Sequence, residues 1–196
     1  MSTESTRTFK TLPLGEHFSD WLVVAVTLIA LLAGWFLKSS VENRSVLLES
    51  QAIHAETPQG WHNIVPQGNE VLHISDPMSS GFGTTYIMQS IPVEAGSGVG
   101  QAASLLTLQR GQQLTAYRVL DQQPVTVYGQ AAYELSYVFV ESDPNLTHDK
   151  FPNIVRGLDY IYLAGDHVVV VTYWAEKQTY EYDLGRFQRF LKSLKF

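Results

Sequence analysis

An α+β domain with a mainly antiparallel sheet flanked by helices, preceded by one transmembrane helix, is the architecture this sequence predicts. Three observations carry it: an uncharged apolar run near the N-terminus, a series of strand-like segments punctuated by Gly and Pro, and two helical patterns set among those segments. The chain has 196 residues, of which 45% are hydrophobic, 12% aromatic and 16% charged, a composition suited to one globular domain plus an appendage.

Residues 1–20 form an N-terminal tail. Trp21 to Leu37 then carries no charge, and at 1.5 Å per residue this run spans about 25 Å as a helix, enough for a bilayer. Asp20 and Lys38 bracket it, and Trp21 and Trp35 lie near its ends, where indoles favour the membrane interface. A core helix would show a polar stripe, yet only Thr27 and Gly34 interrupt the apolar surface. A cleaved signal peptide would end in small residues, whereas this run ends Gly34-Trp35-Phe36-Leu37-Lys38. The expectation is a retained single-pass anchor. Arg7 and Lys10 before it balance Lys38 and Arg44 after it, so charge bias sets no orientation; a short tail before the first helix usually stays cytoplasmic, which puts the domain on the extracytoplasmic side, periplasmic or lumenal.

Residues 38–50, with Val41, Leu47 and Leu48 among polar neighbours, read as a short helical stalk continuing the anchor. The domain is then expected over 51–196. Strands are predicted at about 52–57, 61–65, 70–75 and 84–91, with Pro58-Gln59-Gly60 and Asp76-Pro77 as turns. After Gly96-Ser97-Gly98, the spacing of Val99, Ala102, Ala103, Leu105, Leu106 and Leu114 predicts a helix to about Tyr117. Two strand pairs follow, 117–127 with 131–141 around Tyr128-Gly129-Gln130, and 155–163 with 167–175 around Ala164-Gly165-Asp166. Leu184, Phe187, Phe190, Leu191 and Leu194 give a last helix one apolar face. Only one helix is placed to act as a crossover, hence a mainly antiparallel sheet with helices packed on it.

Several of these segments together resemble the family of PsbP, the extrinsic photosystem II protein. They are Pro58-x-Gly60-Trp61, Asp76-Pro77, Gly129-x-x-x-Tyr133-x-Leu135-x-Tyr137, Gly165-Asp166-His167-Val168-Val169-Val170-Val171-Thr172-Tyr173-x-Ala175 and Phe187-x-x-Phe190-Leu191-x-Ser193-Leu194, covering roughly 51–196. The resemblance implies an antiparallel sheet between helices, an α/β/α sandwich, and a role as an accessory, assembly or scaffold protein of a membrane complex, with no common catalytic residue to carry over. The membrane helix departs from PsbP itself and implies a tethered relative.

Composition limits the chemistry. Residues 51–196 carry nine Lys and Arg against fourteen Asp and Glu, so the domain repels a phosphate backbone and nucleic acid is excluded as a partner. The chain has no cysteine, which removes disulfides, thiolate metal sites and a thiol nucleophile. Gly96-x-Gly98-x-Gly100-x-x-Ala103 with Asp121 imitates a dinucleotide fingerprint, but Gln101 stands where the third glycine belongs and no second βαβ unit follows. Asp143, Asn145, Thr147 and Asp149 alternate oxygen ligands as calcium loops do, without the glycine and glutamate that complete an EF-hand. His54, His62 and His73 show no ligand spacing, and Ser97 has no G-x-S-x-G turn around it. No catalytic, cofactor or metal residue is assigned, and the chain is expected not to be an enzyme.

Partner contacts are assigned instead. Arg186, Arg189, Lys192 and Lys195 recur every three residues on the last helix, where they complement the negative end of the helix dipole and offer a surface for anionic lipid or an acidic subunit. The long connection 143–153, with Asp143, Asn145 and Asp149, is the second candidate contact. Tyr160, Tyr162, Tyr173, Trp174, Tyr180 and Tyr182 concentrate aromatics late in the chain, some for the core and the rest suited to an interface. The function expected is a non-catalytic, membrane-anchored accessory or assembly subunit of a respiratory or photosynthetic complex. Its partners would be an integral-membrane protein complex and, through residues 21–37, the bilayer. The alternative is a free membrane-tethered binding module for a small ligand or ion.

Overall fold

The structure is a computed structural model that describes residues 14–42, 45–50, 53–79, 81–94, 98–142 and 152–195. It divides into two units, 1–44 and 45–196. The first is a single helix, α1 (Leu14–Glu42), which includes Trp21–Lys38, eighteen residues long and apolar enough to cross a membrane, none of it buried. Trp21 and Trp35 are 74% and 69% exposed. Thr27 donates its hydroxyl to the Val23 carbonyl at 2.8 Å, so this polar side chain inside the run is satisfied within the helix, as an apolar solvent requires. Carbonate washing is therefore expected to leave the full-length chain in the membrane fraction, and release of a shortened soluble form would identify α1 as a cleaved signal.

The helix continues into the stalk expected over 38–50 only as far as Glu42, and the rest of that segment is not helical. Helix α1 stops at Glu42, and Ser45–Ser50 is a strand, β1, paired antiparallel with β2 (Ile53–Pro58) so that Leu47 faces Glu56 and Leu48 faces Ala55. The spacing of Val41, Leu47 and Leu48 fits a helix, but pairing across the turn satisfies the same backbone groups and Ala55 is fully buried in the core.

The remaining strands are β3 (His62–Asn63), β4 (Glu70–Ser75), β5 (Thr85–Pro92), β6 (Arg118–Val127), β7 (Gln130–Glu141), β8 (Asn153–Ala164) and β9 (His167–Glu176). They form one seven-stranded antiparallel sheet in the order β3-β4-β5-β9-β8-β7-β6. The α+β class and antiparallel pairing agree with the sequence reading; β3 is shorter than the strand expected at 61–65. Tyr128 and Gly129, with φ of 49° and 86°, close the β6–β7 hairpin in two residues, because two positive φ angles match the twist of the flanking strands.

Alternating side chains give the sheet two apolar faces. On one, α3 (Tyr180–Ser193) buries Tyr180, Phe187, Phe190 and Leu191 against Tyr86, Val171 and Tyr173. Phe187 lies parallel to Tyr173, with ring centroids 4.9 Å apart, and 5.2 Å from Tyr86. The β1–β2 hairpin closes this face, where the Glu56 amide donates to Ser193 Oγ at 2.9 Å. On the other face, α2 (Val99–Gln113) covers Leu135, Tyr137, Val155 and Ile161. This helix ends four residues before the expected Tyr117.

Candidate functional site

Helix α2 fully buries only Ala103, Leu106 and Arg110, with Val99 and Ala102 packed part-buried beside them, a narrow stripe for a core helix. Two of the buried three are small or ordinary apolar residues; the third is a cation 5% exposed. Arg110 Nη2 donates to Thr172 Oγ1 at 3.0 Å and lies 3.5 Å from Asp159 Oδ1. Asp159, fully buried, also accepts from the Tyr137 hydroxyl at 3.1 Å, and that hydroxyl accepts from Trp174 Nε1 at 2.7 Å. The guanidinium carbon sits 5.0 Å from the centre of the Trp174 ring, a cation–π contact.

Strand register assembles this network. Asp159 faces Thr172 directly, and Tyr137, Gly157 and Trp174 lie side by side across β7, β8 and β9. Any Cβ at Gly157 would overlap the Tyr137 ring, so glycine makes room for the tyrosine that orients the carboxylate. Burial pushes the Asp159 carboxyl above its ordinary 3.8, and the Arg110 charge offsets part of that rise. These groups face inward and hold α2 on the sheet.

Beside α2 the same face opens into a groove of about 690 Å³. Its floor is Val168 and Val170, its walls Ile91 and Leu106, and its rim includes Glu94 and Gln109. Leu105, 68% exposed, stands at its mouth, and Leu108, 62% exposed, lies one turn further along α2. No sequence signal marks the groove or the Arg110 network, apart from single charges at Arg110 and Asp159 inside otherwise apolar spacing.

Of the four cations expected on the last helix, Arg186, Arg189 and Lys192 lie on α3 and Lys195 lies just beyond its end at Ser193. Arg186 Nη1 lies 3.5 Å from Asp183 Oδ1 and its guanidinium carbon 5.5 Å from the Tyr182 ring centre, with the side chain 18% exposed. Asp183, 5% exposed, accepts from Thr84 Oγ1 at 2.8 Å, so Arg186 caps an internal polar contact. Arg189, Lys192 and Lys195 are exposed. Asp143, Asn145 and Asp149 lie outside the described residues. Of the late aromatics, Tyr162, Tyr173 and Tyr180 are buried, Tyr160 stacks on Phe187 and Trp174 belongs to the Arg110 network; Tyr182 is 63% exposed. His62 is exposed and His73 Nδ1 lies 3.1 Å from Glu70 Oε2; among the described residues no three metal-ligating side chains converge. The glycine run leads into α2 after an antiparallel strand, without the adjacent parallel strand a dinucleotide site needs.

An antiparallel sheet with α2 on one face and α3 on the other is the fold shared by PsbP and Mog1. The solution structure of cyanobacterial PsbP from Synechocystis superposes with a TM-score of 0.54 at 12% identity, over 77% of this chain and 91% of that one. A Pseudomonas aeruginosa protein of unknown function gives 0.51 at 12% identity, over 79% and 98%. The Ran-binding protein Mog1p of Saccharomyces cerevisiae gives 0.50 at 12% identity, over 78% and 95%. No family model matches the sequence, and no curated protein matches it.

Proposed function

We propose that this protein is a non-catalytic, membrane-anchored accessory or assembly subunit of a respiratory or photosynthetic membrane complex. In this reading α1 packs among the helices of the complex and the domain covers one of its extracytoplasmic surfaces. The observation that carries it is an eighteen-residue apolar helix with no burial of its own, attached to a domain with two filled apolar cores. A free helix of that kind needs lipid or other helices around it. The likeness to PsbP supports an accessory role, and Mog1p, described as a Ran-binding protein, has the same fold in a binding role.

On the domain, Arg189, Lys192 and Lys195 are the proposed contact with an acidic subunit, alongside the segment 143–153 with Asp143, Asn145 and Asp149. Arg186 is left out of the test because its partner is Asp183. Reversing the three exposed charges to Glu should weaken association roughly tenfold and make the remainder less sensitive to salt, as rim charges do. Thermal unfolding should stay within about 1 kcal/mol of the parent, since solvated charges contribute little to folding. Unchanged association would remove α3 as a contact.

A further inference from the structure

We propose that the groove beside α2 binds a linear apolar chain ending in an ammonium or hydroxyl group, with the chain over Val168 and Val170 and the polar end at Glu94. Its volume, about 690 Å³, falls in the range of small-molecule sites, roughly 300–1,000 Å³. The floor is preformed. Val168, Val170 and Leu106 belong to the core of this face and Ile91 packs against them, so no large rearrangement is needed to present an apolar surface. The strands beneath use their backbone groups on each other, with Ile91 paired to Val168, and since Val168 and Val170 are 2% and 1% exposed, the apolar surface open to an occupant comes from Ile91, Val93, Ala102 and Leu105.

Charge sets the other end. Glu94, exposed at the rim, is the one ionised side chain lining the groove among the described residues, none of which contributes a Lys, Arg or His to it. A phosphate, sulfate or carboxylate head would meet a like charge and find no cation among the described residues; an ammonium or hydroxyl would have a carboxylate to donate to. Leu105 at the mouth extends the apolar wall into solvent, a position where a methylene chain removes it from water at about 25 cal/mol per Å². Occupancy of the groove does not require membership of a complex.

The test uses the full chain in lipid nanodiscs and a decylamine carrying a photoreactive diazirine, with labelled peptides mapped by mass spectrometry. Adducts should concentrate on Ile91, Leu105 and their neighbours, and should be competed by unlabelled decylammonium and decanol but not by decyl sulfate. Ser104→Trp, an exposed position on the groove rim, should cut groove labelling about tenfold, equivalent to 1.4 kcal/mol of binding. Glu94→Lys, which alters only a solvated rim residue, should turn the preference toward decyl sulfate and serves even if the tryptophan variant fails to fold. Labelling no denser in the groove than over the rest of the domain, or equal competition by decyl sulfate, would overturn the proposal.

Discussion

Phe187→Ala is expected to lower the unfolding free energy of the domain by about 3–5 kcal/mol, the range for removing a buried aromatic ring. Phe187 is fully buried and its ring meets four others: Tyr173 at 4.9 Å, Tyr86 at 5.2 Å, and Tyr160 and Phe190 at 6.2 Å. Those rings belong to β5, β8, β9 and α3, so no single side chain can swing into the space the phenyl leaves. A typical domain has only about 5–15 kcal/mol in total, which makes the loss visible as a large drop in the denaturant midpoint. The check is equilibrium unfolding in urea. A change below roughly 1 kcal/mol would mean that α3 is not docked on this face as described.

Arg110→Ala should cost a similar amount, about 3–5 kcal/mol, for a different reason. The substitution leaves Asp159 ionised, buried and without its cation, while α2 keeps only Ala103 and Leu106 as buried anchors. The effect should depend on pH with a definite sign. A carboxyl whose folded pKa is raised contributes its stability below the unfolded value, here 3.8, and loses it as pH climbs through the folded value. Removing Arg110 raises the folded value further, so the deficit of the variant should be smallest near pH 3.8 and grow toward neutrality. Adding Asp159→Asn to Arg110→Ala removes the stranded charge and should recover part of the loss. A pH-independent deficit would show that Arg110 acts through packing alone.

The strands and turns were legible because their signals are local. Asp76-Pro77, Gly129 and Gly165 mark turns by backbone requirements that no distant residue can change, and Gly129 and Gly165 do adopt positive φ. The aromatic face of α3 was legible from spacing alone, since Phe187, Phe190 and Leu191 recur at helical intervals and all three are buried. The stretch at 45–50 was not, because whether Leu47 and Leu48 form a helix or a strand is decided by their pairing with Glu56 and Ala55 after the intervening turn. The same holds for α2. Its apolar spacing was legible, but the burial of Arg110 was not, because it depends on Asp159, a carboxylate on a strand far along the chain, while Leu105 stays exposed. Arg186 was legible as part of a basic series, whereas the burial of its i−3 partner Asp183 against Thr84, a residue far away in the chain, was not.

The central claim is that this chain works as part of a larger membrane assembly. Its most direct test is native-gel migration after extraction in a mild detergent, with co-purifying proteins identified from the same band. The account predicts that the full chain runs with a multi-subunit complex and that the triple reversal at Arg189, Lys192 and Lys195 shifts part of it to lower mass. A chain that runs alone, near its own 22.0 kDa plus bound detergent, with no partner in the band, would contradict it.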